Sequence, residues 1–256
     1  MASDQSSPEV ASQTAARILI RGDLAFGLES VPVSGSDDES TASPPGREDE
    51  GSARKLSGPE GAGAKDKQAA LDALRVRHDR ECPHCTVATD HTQTVFGEGD
   101  PDADLMFVGE APGETEDRTG RPFVGRAGKK LEDMIEAMGL SRSQVYIANV
   151  LKSRPPDNRT PLRHEIDACG GYLAEQVRIV APRAIVALGG PAAKLLLETD
   201  VGITRLRGTW GRYRPDDLDI PVMPTFHPAY LLRNYTPEVR KQVWSDLQAV
   251  LVRLGS

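Results

Sequence analysis

The chain has 256 residues, enough for one or two domains, and its formal net charge of −7 argues against a generic nucleic-acid binder. The acidic excess is local. Residues 1–70 carry 7 basic and 12 acidic side chains and the remainder 24 and 26, so basic clusters in the folded part matter more than the total. No apolar run approaches the ~20 residues of a membrane span, and the N-terminus has no basic segment followed by an apolar core, so neither membrane insertion nor secretion is expected. Three cysteines, two of them in Cys82-Pro-His-Cys85, make no disulfide scaffold; in an intracellular protein that spacing points to a metal, cluster or redox site.

Residues 9–28 have the pattern of a short amphipathic helix, expected to dock on the main domain or on a partner. From 33 to 67 the chain is rich in Ser, Gly, Pro, Asp and Glu, with almost no large apolar side chains. Such a stretch buries too little surface to offset chain entropy, so a disordered linker is expected. The predicted organisation is an N-terminal segment, 1–32, a linker, 33–67, and a folded domain, 68–256. Within that domain Ala69 onward reads as a helix leading into Cys82. Asp104-Leu-Met-Phe-Val108 reads as a buried parallel strand and runs straight into Gly109-Glu-Ala-Pro-Gly113. Residues 127–138 have helical periodicity through Leu131, Met134, Ile135 and Met138, with Gly139 near the end. A second strand follows at 145–149, a second helix at 165–180, a third strand at 183–188 and a helix at 191–198. Residues 220–226 are a weaker fourth strand, and 237–253 a last amphipathic helix. This alternation predicts an α/β fold, a three-layer α/β/α sandwich around a central, mostly parallel four-stranded sheet.

Open α/β sheets place their ligands beyond the C-terminal ends of the strands. Three residue sets leave those ends: the 109–113 turn, Asn149, and His227-Pro-Ala-Tyr-Leu-Leu-Arg233. Glycines at 109, 113, 120, 125 and 128 allow the close backbone approach that a loop around a flat or anionic ligand needs. With Phe123 the set offers a stacking ring, an amide and an imidazole, which suits a planar heterocycle. Taken singly, each has a plainer reading as a cap, a turn residue or a helix start.

Several longer motifs stand in order: Gly109-Glu-Ala-Pro-Gly113, Glu116-Asp117, Gly120-Arg-Pro-Phe-Val-Gly125, Ala127-Gly128, Asn149-Val-Leu-Lys152, Arg154-Pro-Pro-Asp-Asn-Arg159, Leu188-Gly189, Leu206-Arg-Gly208 and His227 to Arg233. Through them about two-thirds of the chain resembles the family 4 uracil-DNA glycosylases of the uracil-DNA glycosylase superfamily. The resemblance implies an enzyme that flips uracil out of DNA and hydrolyses its N-glycosidic bond, leaving an abasic site. Phe123 would stack on the flipped base, and Asn149 would pair with its edge. Gly109, Ala111, Pro112 and Gly113 would line the substrate, with backbone N–H groups around 110–113 on O2. His227 would be a donor to the uracil anion that forms as the bond breaks. The best-known superfamily members carry a water-positioning aspartate two residues after the first glycine, where this chain has Ala111. That task therefore falls to Glu110 first and Glu116 second, with Asp117 or the backbone behind them. Leu231, with Tyr230 and Leu232, resembles the wedge that fills the hole left by the base. Lys152, Arg154, Arg159 and Arg233 are the candidate phosphate contacts.

The family holds a 4Fe-4S cluster on four cysteines, the third in a Lys-Cys-Arg-Pro-Pro run. Cys82, Cys85 and Cys169 are in place here, but the third position reads Lys152-Ser153-Arg154. The expectation is a structural cluster kept by three cysteines, with Ser153 or solvent as a weak fourth site, because a serine oxygen is a harder and more basic ligand than thiolate. A three-iron or labile cluster, substitution by His84, zinc on the three cysteines plus one O or N donor, and no metal are the alternatives. The expected partner is uracil-containing DNA, met by a monomer in the cytoplasm beside the nucleoid, with the N-terminal tail free to bind a protein. Competing readings are a glycosylase of broader deaminated-base choice and a non-catalytic uracil-DNA-binding or redox-sensing protein.

Overall fold

A computed structural model describes residues 18, 22–28, 63–85 and 90–255. The helix expected over 9–28 otherwise lies outside the described residues, as does the linker expected over 33–67 up to residue 62. Helix α1 (Ala64–Glu81) begins a few residues before the expected start. The strands are β1 (Glu98–Gly99), β2 (Leu105–Gly109), β3 (Tyr146–Asn149), β4 (Ala184–Leu188), β5 (Gly211–Tyr213) and β6 (Ile220–Thr225). Between and after them run α2 (Glu114–Thr119), α3 (Arg126–Ala137), α4 (Arg163–Val180), α5 (Gly190–Leu196), α6 (Ile203–Leu206), α7 (Pro228–Arg233) and α8 (Pro237–Leu254).

The sheet order is β1-β3-β2-β4-β6-β5. The four expected strands form its parallel centre, and β1 and β5 add short antiparallel edges, so the described sheet has six strands. The central strands are continuous apolar runs because helices cover both faces. Side chains alternate between those faces. Leu105, Phe107, Ile147, Val186 and Leu188 pack against Leu131 and Ile135 of α3 and Trp244 and Leu247 of α8. Met106, Val108, Ala148, Ile185 and Ala187 pack against Leu71 of α1, Leu173 and Val177 of α4, and Ala193 of α5. The result is the three-layer sandwich that the alternation predicts.

On the α8 side, residues 22–28 dock against the domain. Phe26 stacks on Trp244 with ring centroids 5.3 Å apart, Trp244 Nε1 donates to Asp23 Oδ1 at 2.6 Å, and Arg240 donates to the Phe26 carbonyl at 2.7 Å.

Strand β2 comes first of the parallel four; its neighbours β3 and β4 lie on opposite sides of it. The order in which strands are laid down reverses there, and a crevice opens beyond the strand ends at such a switch point. The turns after β2, β3 and β6 all converge on it.

Candidate functional site

A cavity of about 490 Å³ occupies this crevice, within the usual range for small-ligand sites. Glu110, Ala111, Pro112, Gly113, Glu116, Phe123, Asn149, Arg159, His227 and Arg233 line it, so ten of the predicted side chains and turn residues meet in one place. Gly109 lies directly behind them. A Cβ on that residue would sit 2.4 Å from Asn149 Oδ1 and 2.5 Å from Phe123 Cζ. Only a glycine at the end of β2 lets the amide and the ring come this close.

Asn149 is 1 % exposed, and its Oδ1 has no hydrogen-bond partner in the structure. An unmet buried carbonyl costs about 1–3 kcal/mol, an expense that a ligand N–H would remove. Phe123 is held in the left-handed region at φ 50°. Arg142 fixes that turn by donating to the carbonyls of Pro122 and Phe123. Gly128 lets α3 pass against the Phe123 backbone, where a Cβ would lie 2.0 Å from the carbonyl. The Phe123 and His227 ring centroids are 5.7 Å apart.

His227 caps α7: its Nδ1 accepts from the Ala229 N–H at 3.1 Å. A ring nitrogen that accepts is unprotonated, so the neutral ring carries its hydrogen on Nε2. Burial, reinforced by the Arg233 charge and opposed by Glu116, pulls its pKa down to about 4. The ring is therefore neutral at physiological pH. Burial alone pushes the Glu110 carboxyl upward.

The two other candidate carboxylates are already engaged. Glu116 Oε1 accepts from the Val124 and Gly125 N–H groups at 2.9 and 2.7 Å, capping α3 and holding the Phe123 turn. Asp117 is buried and accepts from the Thr92 and Gln93 N–H groups.

Two expectations are corrected. Leu231 is 1 % exposed and belongs to the core, because Pro228 starts α7 and the helical phase turns Pro228 and Leu231 inward. The exposed apolar side chain of that segment is Leu232, while Tyr230 stacks on Phe226. Lys152 is fully buried; its Nζ donates to the Asn149 carbonyl at 2.7 Å and to Gln176 Oε1, so it contacts no phosphate. Burial lowers its pKa to about 8. Arg154 donates to Asn158, and Arg159 makes a bidentate pair with Glu165 at 2.6 and 2.8 Å. That pair, with the Leu162 N–H, brings the Glu165 pKa down to about 2. Arg233 is exposed at the cavity mouth with no ion pair among the described residues.

The sulfur group lies behind the Asn149 turn. Cys82 and Cys85 follow α1, and Cys169 projects from α4; the Cys82–Cys169 and Cys85–Cys169 sulfurs are 4.0 and 3.8 Å apart. Ser153 Oγ is 3.4 Å from Cys85 Sγ and 3.2 Å from His84 Nε2. All three cysteines are buried, and with His78 they form a group whose donor atoms lie within 4.8 Å of one another. Three thiols and an imidazole suit a thiophilic metal. Motif reading missed His78, although its position four residues before Cys82 on a predicted helix was the available signal.

A doubly wound α/β domain with a ring, an amide and a neutral imidazole in its switch-point crevice is the framework of a nucleobase-binding protein. The profile of the Uracil DNA glycosylase superfamily matches residues 96–248, more than half of the chain, and the chain belongs to that superfamily. It is 46 % identical over 172 residues to the type-4 uracil-DNA glycosylase of Thermotoga maritima, covering 66 % of this chain and 87 % of that one. A Sulfurisphaera tokodaii protein of the same name is also 46 % identical, over 66 % of this chain and 78 % of the relative. The Archaeoglobus fulgidus one is 39 % identical, over 71 % and 92 %.

Proposed function

We propose that this chain removes uracil from DNA, flipping the base into the crevice and hydrolysing its N-glycosidic bond to leave an abasic site. The observation that carries this reading is the buried, unpartnered Oδ1 of Asn149 beside the Phe123 ring. An acceptor there meets uracil N3–H, and the same amide offers Nδ2–H to O4. Cytosine presents an acceptor and a donor in the opposite sense. Phe123 supplies the flat face on which the flipped base stacks.

As the bond breaks, the base leaves with its electron pair, so negative charge spreads over its ring and O2. The neutral His227 Nε2–H is the donor that meets this charge, together with backbone N–H groups around 110–113. These donors act without proton transfer: the ring is already neutral, and giving up its Nε2 hydrogen would leave an imidazolate far more basic than the departing uracil anion. Glu110, partly desolvated and free of the capping bonds that occupy Glu116, holds the attacking water. Arg233 at the mouth takes a phosphate beside the flipped nucleotide, and the exposed Leu232 enters the stack.

The metal group is read as a 4Fe-4S cluster on Cys82, Cys85 and Cys169. Its chemistry is structural, tying the end of α1 to the 150–153 turn and to α4. The protein acts in this reading as a monomer in the cytoplasm.

The test is uracil release from single-stranded and U·G duplex oligonucleotides, scored as alkali-sensitive strand breaks, beside matched cytosine controls. Breaks only at uracil are expected. Binding of uracil-containing DNA without breaks, from folded protein, would replace the enzyme with a binding protein.

A further inference from the structure

The sulfur group contains a side chain that the family-like motifs do not include. His78 stands on the last turn of α1, and Cys82 is the residue that caps that helix, its N–H donating to the His78 carbonyl, so the two side chains reach the same pocket from the helix end. Its ring is fully buried, edge-on to Tyr172 with centroids 4.9 Å apart and tilted against Phe96 at 5.7 Å. Nε2 lies 3.9 Å from Cys169 Sγ. Nδ1 lies 2.9 Å from Asp79 Oδ1, which also accepts from Thr94 Oγ1 at 2.8 Å. A carboxylate on one ring nitrogen is the arrangement found behind metal-binding histidines: it fixes the tautomer and leaves the other nitrogen's lone pair for the metal.

Ser153 is the weaker candidate. Its hydroxyl is neutral unless it gives up a strongly held proton, and oxygen donors suit harder metals. It already sits at hydrogen-bond distance from His84 Nε2 and Cys85 Sγ. Three of the donor separations, 3.8–4.0 Å in a group that lies within 4.8 Å, are close to the ~3.5–3.8 Å edges of a tetrahedron around one ion with bonds of roughly 2.0–2.3 Å; a four-iron cluster, whose ligands sit on separate irons, would need the same four donors to spread apart.

We propose that His78, through Nε2, is the fourth donor to the metal group on Cys82, Cys85 and Cys169, taking the part that a cysteine at position 153 would otherwise play. The inference rests on the reading that the three cysteines hold a metal. Its chemical content is a thiophilic centre with three thiolates and one imidazole. An iron–sulfur cluster and a single zinc ion are the two sources of such a centre.

The full-length protein, purified without oxygen, is reconstituted in two arms, one with ferrous iron plus sulfide and one with zinc alone. Retention of iron with sulfide identifies the cluster, and stoichiometric zinc identifies the single ion. X-ray absorption at the edge of the retained metal then reads the ligands of the unmodified protein, and imidazole scattering is expected. In parallel, loss of metal to a chelator is compared for His78→Ala, Ser153→Ala and the double variant His78→Ala/Ser153→Cys. Changing even a residue behind a ligand weakens metal binding by about 10–100-fold, so His78→Ala should lose metal at least about tenfold faster. Ser153→Ala should behave like the parent, and the new cysteine should restore retention in the double variant. That rescue separates loss of a ligand from a failure to fold. Sulfur and oxygen scattering alone, or metal loss from Ser153→Ala but not from His78→Ala, would overturn the assignment while leaving the metal reading intact. A parent protein that binds neither metal would remove the metal reading and the assignment with it.

Discussion

Replacing Gly109 by alanine tests whether the amide and the ring must touch the end of β2. The new methyl would lie 2.4 Å from Asn149 Oδ1 and 2.5 Å from Phe123 Cζ, against ordinary contact beginning at 3.4 Å. Both groups must therefore withdraw by about 1 Å, and a misplacement of that size in a reacting site costs about 10²-fold in rate. Overpacking of this kind also costs about 1–3 kcal/mol, which in a domain of this size lowers the melting temperature by about 2–12 °C. Single-turnover excision from a uracil-containing single strand measures the rate, and anisotropy with uracil-free DNA measures backbone binding. The expected result is a rate loss near 10²-fold with uracil-free affinity unchanged. A parental excision rate would refute the packing argument. Equal losses of rate and uracil-free affinity would move the fault from the pocket to the whole fold.

The geometry sets further outcomes at His227, at the Leu231-Leu232 pair and at Glu116. His227→Asn should lower single-turnover excision about 10²–10³-fold, as loss of one donor to a developing anion does, with DNA affinity unchanged. Because the folded-state pKa of His227 is near 4, below the ordinary 6.5, this ring's contribution to stability is complete above pH 6.5 and is withdrawn as the pH falls toward 4. Urea melts of parent and His227→Asn should therefore converge on acidification; a gap constant with pH would contradict the assigned neutral ring. Leu231→Ala should cost about 2–5 kcal/mol of stability as a core truncation, whereas Leu232→Ala should leave the melting temperature alone and slow excision from duplex more than from single strands. The reverse pattern would restore Leu231 as the wedge. Glu116→Gln keeps an oxygen for the Val124 and Gly125 amides and should keep the excision rate, while Glu116→Ala should lose about 1–2 kcal/mol of helix capping. A rate collapse in Glu116→Gln would instead make it the residue that holds the water.

The four central strands were legible because burial on both faces demands uninterrupted apolar runs such as Leu105-Met-Phe-Val108 and Ala184 to Leu188. The edge strands β1 and β5 were not, since two or three half-buried residues around Gly99 and Arg212 carry no period. Site residues at strand ends were legible for the same topological reason. The phase of α7 was hidden in the repeated Leu231-Leu232, and only the helix start at Pro228 decides which leucine faces the core. Lys152 was misplaced by residue type: a lysine beside arginine reads as surface charge, yet its partners, the Asn149 carbonyl and Gln176, come from β3 and from α4, 24 residues on. His78 was passed over because motif reading attends to cysteine spacing, whereas the fold counts helical turns.

Buried Lys152 joins two parts of the molecule that would otherwise look like separate modules. Its ammonium holds the carbonyl of Asn149, and its own N–H points at Cys169 Sγ from 3.3 Å. Anyone grafting this base-reading pocket onto another scaffold would have to carry the sulfur group, the 149–153 turn and α4 along with it. A designer who copied only the residues that line the cavity would take the reading amide without the lysine that anchors its backbone.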